Sequence, residues 1–319
     1  MPADRHGIEL LGLGHCIPAP RPAGIESTTY RGWPVYSVAG DDDHPSTMGA
    51  AALEAALTAA GIAGSELDLV LFTGTSRDYQ PSWSVATEIA GRVGATCAGV
   101  DLTLGCLGLL IGLELARGWT TDARWQNVAV ISAERWTHTI DRTDPGSVGL
   151  WGHSDGAAAI VASTTPGRRG FARFRGSSYL SAPDGNGHIL VKYGGTRHPT
   201  PPPGTSPFMR TVRPVDRKLM SDKYIAALEH VIRDVAAHFA VPIERIICNQ
   251  VAPHFVERVE TTFGLPPRSI PRTGERVGHV GGADIVLALD DLVRAGVTGP
   301  VIAASTCAYC WAAGVLELG

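Results

Sequence analysis

Short apolar runs of strand length alternate with Ala- and Leu-rich stretches of helical length along nearly the whole chain, and the alternation occurs twice. In the first pass, residues 8–14, 67–73, 99–103, 127–133 and 156–163 read as strands. Residues 46–60, 82–92 and 106–118 read as helices. In the second, helices at 222–240, 253–263 and 283–295 accompany strands at 244–249, 300–305 and 309–317. Strands that are apolar throughout need cover on both faces, which intervening helices supply. The expected class is therefore α/β, with a unit used twice: residues 1–165 and residues 166–319. No sequence identity between the halves is evident, so the rhythm alone carries this inference. Punctuation supports it. Gly61 stops the first long helix, for which Ser46 is the expected cap. Residues 18–45 are rich in Pro, Gly and Asp and read as loop, as do residues 183–207 with three consecutive prolines. A loop of that second length inside a domain is usually functional.

Composition narrows the partners. A net charge of −4 on 319 residues excludes a broad basic face for nucleic acid or an anionic membrane. No apolar run reaches the roughly 18 residues of a membrane-spanning helix, and no charged-then-apolar leader opens the chain, so the expected compartment is cytoplasmic. The six cysteines, at 16, 97, 106, 248, 307 and 310, are scattered and read as free thiols. Cys307-Ala-Tyr-Cys310 has the C-x-x-C spacing but no second pair, whereas structural zinc takes four ligands. No metal is expected.

One cysteine stands apart. Asp101-Leu-Thr-Leu-Gly-Cys106-Leu-Gly108 sets Cys106 between a strand and an apolar helix, flanked by glycines. A helix N-terminus carries about half a positive charge and stabilises a thiolate. The glycines let the backbone approach an acyl group closely. The bland reading, a small core residue, fits the motif alone equally well.

Further segments add to this motif. They are Ser46-Thr-Met-Gly49 before an Ala-rich helix, Trp151-Gly-His-Ser-Asp-Gly-Ala-Ala158, Ala252-Pro-His254, Gly278–Asp284 and Thr306–Trp311. In this order, over residues 46–318, they resemble the ketoacyl-ACP synthase III branch of the thiolase superfamily. Its D-x-x-x-x-C-x-G, V-P-H, G-N-T-S-A-A-S and G-G-G-F-T-W segments fall at the matching places. The resemblance implies a duplicated, five-layered αβαβα thiolase fold, a homodimer, and acyl transfer from a thioester to Cys106. The donor would be an acyl-CoA or an acyl-carrier-protein thioester, with no permanently bound cofactor. The oxyanion would rest on the backbone N–H groups of Cys106 and Cys307, each such donor contributing about 3 kcal/mol.

The departures decide the chemistry. His254 matches the family's catalytic histidine, but its asparagine is replaced by His279 in Gly278-His-Val-Gly-Gly-Ala-Asp284. With Cys106, the two histidines resemble the Cys-His-His set of elongating ketosynthases, which implies decarboxylative C–C condensation. Alternatively His279 is a general base oriented by Asp284. The G-H-x-G-G-x-D motif resembles the ketosynthase III-like acyltransferases of antibiotic and polyketide pathways. A carboxylate on one imidazole nitrogen fixes the tautomer, and the other nitrogen can deprotonate a small-molecule O–H or N–H acceptor. That ping-pong acyltransferase is the preferred reading. Hydrolysis by the same triad and a non-catalytic subunit of an active homologue are the remaining alternatives. Asp284 as a simple helix cap is the structural one. His138, His153, His188 and His198 are read as loop or surface residues. The family's D-E-W-I-x-x-R-T-G-I segment has no equivalent before residue 45, where Trp33 is isolated. Phe255 and Glu257 also depart from the family's Q-A-N, so the donor-docking face is not the usual one.

Overall fold

The computed structural model describes residues 7–24, 29–79, 82–119, 125–206, 210–211 and 217–319. In chain order the first half holds β1 (Ile8–Cys16), β2 (Pro20–Pro22), β3 (Val35–Ser37), α1 (Pro45–Ala60), β4 (Leu69–Phe72), α2 (Val85–Arg92), β5 (Ala98–Asp101), α3 (Gly108–Trp119), β6 (Asn127–Glu134) and β7 (Gly156–Ser163). The second holds β8 (Ala172–Ser181), β9 (Ile189–Leu190), β10 (Arg210–Thr211), α4 (Arg217–Phe239), β11 (Ile246–Cys248), α5 (Pro253–Thr262), α6 (Gly274–Val277), α7 (Ala283–Arg294), β12 (Gly299–Thr306) and β13 (Cys310–Leu318).

Nine strands join in the order β11-β12-β13-β8-β1-β7-β6-β4-β5. The duplication is visible in this order. In the first half, β4 and β6 are parallel neighbours, β6 and β7 an antiparallel pair, and the opening strand β1 returns to lie against β7. In the second, β11 and β12 are parallel, β12 and β13 antiparallel, and the opening strand β8 lies against β13. The halves meet where β1 pairs with β8 over Ile8–Leu10.

Packing gives five layers. Helix α1 covers β1, β6 and β7 from outside, joined by α2 over β4 and β5, while α4 covers β8, β12 and β13 with α5 beside it. Between the two halves of this sheet lie α3, against β6 on one side and β8 and β13 on the other, and α7, against β1 and β7 and also β11 and β12. This explains why α3 is almost wholly apolar. Strand β4 shows the same logic at single-residue scale: Leu69 and Leu71 enter the central core, Val70 and Phe72 the outer one, and all four are fully buried. Period-two alternation feeding two cores is what makes the strand read as a continuous apolar run. The third core, beneath α4, gathers Leu228, Val231 and Ile232 against Ile246, Ile302 and Val315.

Three local expectations are corrected. Helix α1 begins at Pro45, with His44 at the cap position. Proline suits the first helical turn because its missing N–H needs no partner. Thr47 Oγ1 accepts the His44 N–H at 2.8 Å, and the Ser46 hydroxyl instead donates to Asp78 at 2.6 Å. Second, Cys106 lies in a single 3-10 turn, Gly105–Leu107, with α3 starting two residues later. Third, the stretch read as loop at 18–45 contains the β2–β3 pair. Gly61 ends α1 as expected, in the left-handed region at φ 65°. The loop at 183–207, described to residue 206, holds a turn at Pro183–Gly185 and strand β9, which pairs with β10. Strand β10 in turn packs on the 3-10 segment Pro145–Leu150.

Candidate active site

Strand β5 delivers the chain to Cys106, the expected nucleophile. Its last residue, Asp101, accepts the N–H groups of Val85 and Ala86 at 3.0 and 2.8 Å, so it caps α2 rather than meeting the thiol. Gly105, at φ +57°, makes the left-handed step that swings the chain into the 3-10 turn. Gly108 is required by contact: a Cβ there would lie 2.4 Å from the Thr73 carbonyl oxygen. Cys106 is buried at 9% exposure, and its carbonyl accepts the Ser305 hydroxyl of β12 at 2.8 Å.

The opposite wall comes from the segment before α7. His279 forms an isolated parallel bridge with His153: its N–H donates to Gly152 O and its carbonyl accepts the Ser154 N–H, both at 2.8 Å. The bridge fixes the backbone, and the ring spans two partners. His279 Nε2 lies 3.4 Å from Cys106 Sγ, and Nδ1 lies 2.5 Å from Asp284 Oδ2. Asp284 is fully buried and further accepts the Gln250 N–H at 2.7 Å and the Val280 N–H at 2.9 Å. It sits in the first turn of α7, yet its carboxylate serves the approach to the helix rather than closing an N-cap.

Burial works against a charge on His279, but the Asp284 carboxylate and then Cys106 outweigh it and hold the imidazole up at about 10. The ring is flanked by Trp136 at 5.5 Å and by His153 at 4.8 Å between centroids. Trp136 Nε1 donates to Thr75 Oγ1, and Thr75 and Ser76 together give four hydrogen bonds to the fully buried Glu134. Burial lifts the Glu134 carboxyl despite those bonds. An apolar cluster of Trp136, Ile140, Val148, Leu150 and Trp151, with Tyr30 against it, includes Cys106 itself.

The structure thus brings Cys106, His279 and Asp284 into one bonded line. It leaves His254 exposed in the first turn of α5, its side chain without a hydrogen bond among the described residues. Cys307, the expected second oxyanion donor, has its N–H committed to the Cys310 carbonyl at 2.9 Å, closing the β12–β13 turn. An oxyanion would have to displace that bond. Trp33 is no exposed grip for a donor nucleotide: it is 1% exposed, and its Nε1 donates to Gln250 O at 2.6 Å. His153, read as a loop residue, packs against the site. Burial first, then the charges on His279 and Arg142, drive its imidazole well below the ordinary range. Its place between Trp151-Gly and Ser-Asp-Gly in the strand-entry segment was the one available signal. Among the described residues no cluster of three or more His, Cys, Asp or Glu can hold a metal ion, and no helix is long and apolar enough to cross a membrane.

Comparison with known proteins gives a consistent picture. Residues 100–179 match the family model of 3-oxoacyl-[acyl-carrier-protein] synthase III, and residues 240–317 match that family's C-terminal model. The beta-ketoacyl-[acyl-carrier-protein] synthase III of Neisseria meningitidis serogroup A is 27% identical over 262 residues, covering 81% of this chain and 78% of the relative. Among solved structures, the 3-oxoacyl-[acyl-carrier-protein] synthase III of Aquifex aeolicus superposes with a TM-score of 0.83 at 17% identity, covering 98% of this chain and all of the other. The priming β-ketosynthase of the R1128 polyketide pathway gives 0.84 at 23% identity, covering 99% and 97%. At these identities the two structures speak to the fold, which is the thiolase fold.

Proposed function

Since the chain belongs to the 3-oxoacyl-[acyl-carrier-protein] synthase III family, whose members are transferases working on thioesters, we propose that it is an acyltransferase of secondary metabolism that passes an acyl group from Cys106 to an oxygen or nitrogen acceptor. The observation that carries this reading is His279, spanning Cys106 Sγ and the buried Asp284. A neutral amide there would only donate a hydrogen bond. An imidazole backed by a carboxylate can take a proton and keep it.

The steps follow from the charges. His279 Nε2, 3.4 Å from Cys106 Sγ, takes the thiol proton as the sulfur attacks, because the thiolate is the reactive form of a cysteine. The thiolate attacks the donor's carbonyl carbon, and negative charge develops on the carbonyl oxygen at the start of α3. There the Cys106 N–H and the helix N-terminus stabilise it. Collapse expels the donor thiol, which takes the His279 proton. The sulfur is now a neutral thioester, so one of the two charges that held the imidazole up has gone. His279 Nε2 then removes the proton of the acceptor O–H or N–H as that atom attacks the acyl carbon. The second collapse expels the Cys106 sulfur, which takes the proton back from His279.

The donor in this reading is acyl-CoA or an acyl-carrier-protein thioester, and the working form is a homodimer. Residues 1–165 supply the nucleophile and residues 166–319 the acid–base pair. The exposed His254, its side chain unbonded among the described residues, supports group transfer over decarboxylative condensation, which needs two donors converging on an enolate. Intact mass spectrometry tests the proposal. Incubation with acyl thioesters should add one acyl mass, absent in Cys106→Ala, and an acceptor should discharge it as ester or amide. Release of carbon dioxide from a malonyl donor with formation of a β-keto product would overturn it.

A further inference from the structure

The Cys307-Ala-Tyr-Cys310 pair has no part in acyl transfer through its side chains, yet it stands beside the nucleophile. The family segment that these residues resemble has glycine and threonine in place of the two cysteines, so the thiols are this chain's own. Strands β12 and β13 pair up to Thr306 and Trp311, which leaves Cys307 and Cys310 facing each other across the two-residue turn Ala308–Tyr309. Directly opposed residues of this kind sit about 5.5 Å apart at Cα, inside the range of about 4.4–6.8 Å that a disulfide spans. On the other side, a Cβ placed on Gly105, the residue before the nucleophile, would lie 3.9 Å from Cys307 Sγ. Cys310 Sγ lies 3.2 Å from the Ser181 hydroxyl, and both cysteines are partly exposed. Three thiols therefore follow one another from the site outward, with Cys307 in the middle.

We propose that Cys307 and Cys310 form a redox pair that resolves oxidation of Cys106. The inference takes from the preceding section only that Cys106 is a reactive cysteine. A peroxide oxidises its sulfur to the sulfenic acid, releasing water. The Cys307 thiol attacks the sulfenic sulfur, expelling water and forming a Cys106–Cys307 disulfide. The Cys310 thiolate then attacks Cys307 Sγ, forms the Cys307–Cys310 disulfide and releases Cys106 as thiolate. An external dithiol reduces the pair. The electrostatics suit the last step: the hydrogen bond from Cys307 holds Cys310 down at about 6, so it is ionised at neutral pH. Cys307 is pushed up, first by that same bond and then by burial and by the charge of Cys106, so it stays a thiol until a sulfenic acid draws it.

The test uses the whole protein, treated with a few equivalents of hydrogen peroxide and then mapped without reduction. The wild type should lose about 2 Da, yield the Cys307–Cys310 peptide, and leave Cys106 open to alkylation. In Cys310→Ala the exchange cannot occur, so the Cys106–Cys307 disulfide should accumulate. In Cys307→Ala, Cys106 should gain about 32 Da as sulfinic acid, at least tenfold faster than in the wild type. Equal rates of Cys106 over-oxidation in the three proteins would overturn the proposal, as would a wild type in which the pair remains reduced while Cys106 oxidises. Peptide mapping needs no acyl donor. A protein that forms the disulfide but never loads an acyl group would refute the transferase reading alone.

Discussion

Replacing Asp284 by asparagine keeps the shape of the residue and removes its charge, and the structure says how the loss divides. The carboxylate accepts three hydrogen bonds, with His279 and Gln250 on Oδ2 and Val280 on Oδ1. An asparagine can place its oxygen on only one side. With oxygen toward His279, its NH2 meets the Val280 N–H, donor against donor, in a fully buried position. Flipped, it meets the Gln250 N–H and donates to His279 Nδ1, which moves the ring proton to Nε2 and abolishes the base. Either way a charge-assisted bond of about 1.5–3 kcal/mol is lost and a buried donor costing about 1–3 kcal/mol is left unpaired. The lost bond to the imidazolium should slow transfer to the acceptor by about 1.5–3 kcal/mol, roughly ten- to hundredfold, while the unpaired donor lowers the stability of the fold. Loading should suffer less, because raising the pH restores a thiolate on Cys106 but cannot restore the base. Rapid-quench intact mass spectrometry separates the steps: appearance of the acyl-enzyme reports loading, its decay with acceptor reports transfer. Equal slowing of both at every pH, or transfer within threefold of the wild type, would refute the role assigned to Asp284.

The charge on His279 also has a thermodynamic signature. Its folded value of about 10 stands above the ordinary 6.5, so the charged ring stabilises the fold fully below pH 6.5, and that contribution is lost as pH rises toward 10. The thermal midpoint of the wild type minus that of His279→Gln should fall across this window, and a rising difference would contradict the assignment. Gly108→Ala should lower the midpoint and slow loading together, because its Cβ would sit 2.4 Å from the Thr73 carbonyl and push α3 off the sheet. Glu134→Ala strands the N–H and hydroxyl groups of Thr75 and Ser76, and urea unfolding should show a loss of about 3 kcal/mol. His254→Ala should change loading less than threefold and transfer less than tenfold, measured by the same quench. A hundredfold loss of transfer would instead give this residue a direct part in the chemistry.

Legibility in the sequence followed locality. The setting of Cys106 is legible because glycines, strand and helix lie within eight residues of it, while its expected role comes from the resemblance. The nearness of His279 and Asp284 is legible because only four residues lie between them, on one loop and one helical turn. Strands β4, β6 and β7 announce themselves as apolar runs because both faces are covered. Strand β8 does not, since Arg173 and Arg175 alternate with Ala172 and Phe174 and its end is exposed. His153 reaches the site only through its bridge to His279, a pairing that no local pattern encodes. The commitment of the Cys307 N–H likewise depends on how tightly the β12–β13 turn closes. Asp101 belongs to the nucleophile's motif by position, but what it holds is α2, from a segment fifteen residues upstream.

The duplicated topology gives a physical reason for this pairing of groups. Helices α3 and α7 occupy the same slot in their halves, each leading into a strand that lies parallel to its outer neighbour, β6 beside β4 and β12 beside β11. Both run through the central layer, and their N-termini converge. The Ser305 hydroxyl of β12 holds the Cys106 carbonyl, and a Cβ on Gly282, at the start of α7, would lie 3.5 Å from that same oxygen and 2.7 Å from Ser132 Oγ of β6. Each N-terminus carries about half a positive charge. The carboxylate of Asp284 sits in the first turn of α7, and the ring of His279, held protonated, lies between it and Cys106 Sγ. In the proposed transfer, acylation of Cys106 removes one of the two influences that raise the imidazole, so the architecture that holds its proton in the resting protein would then free it as a base.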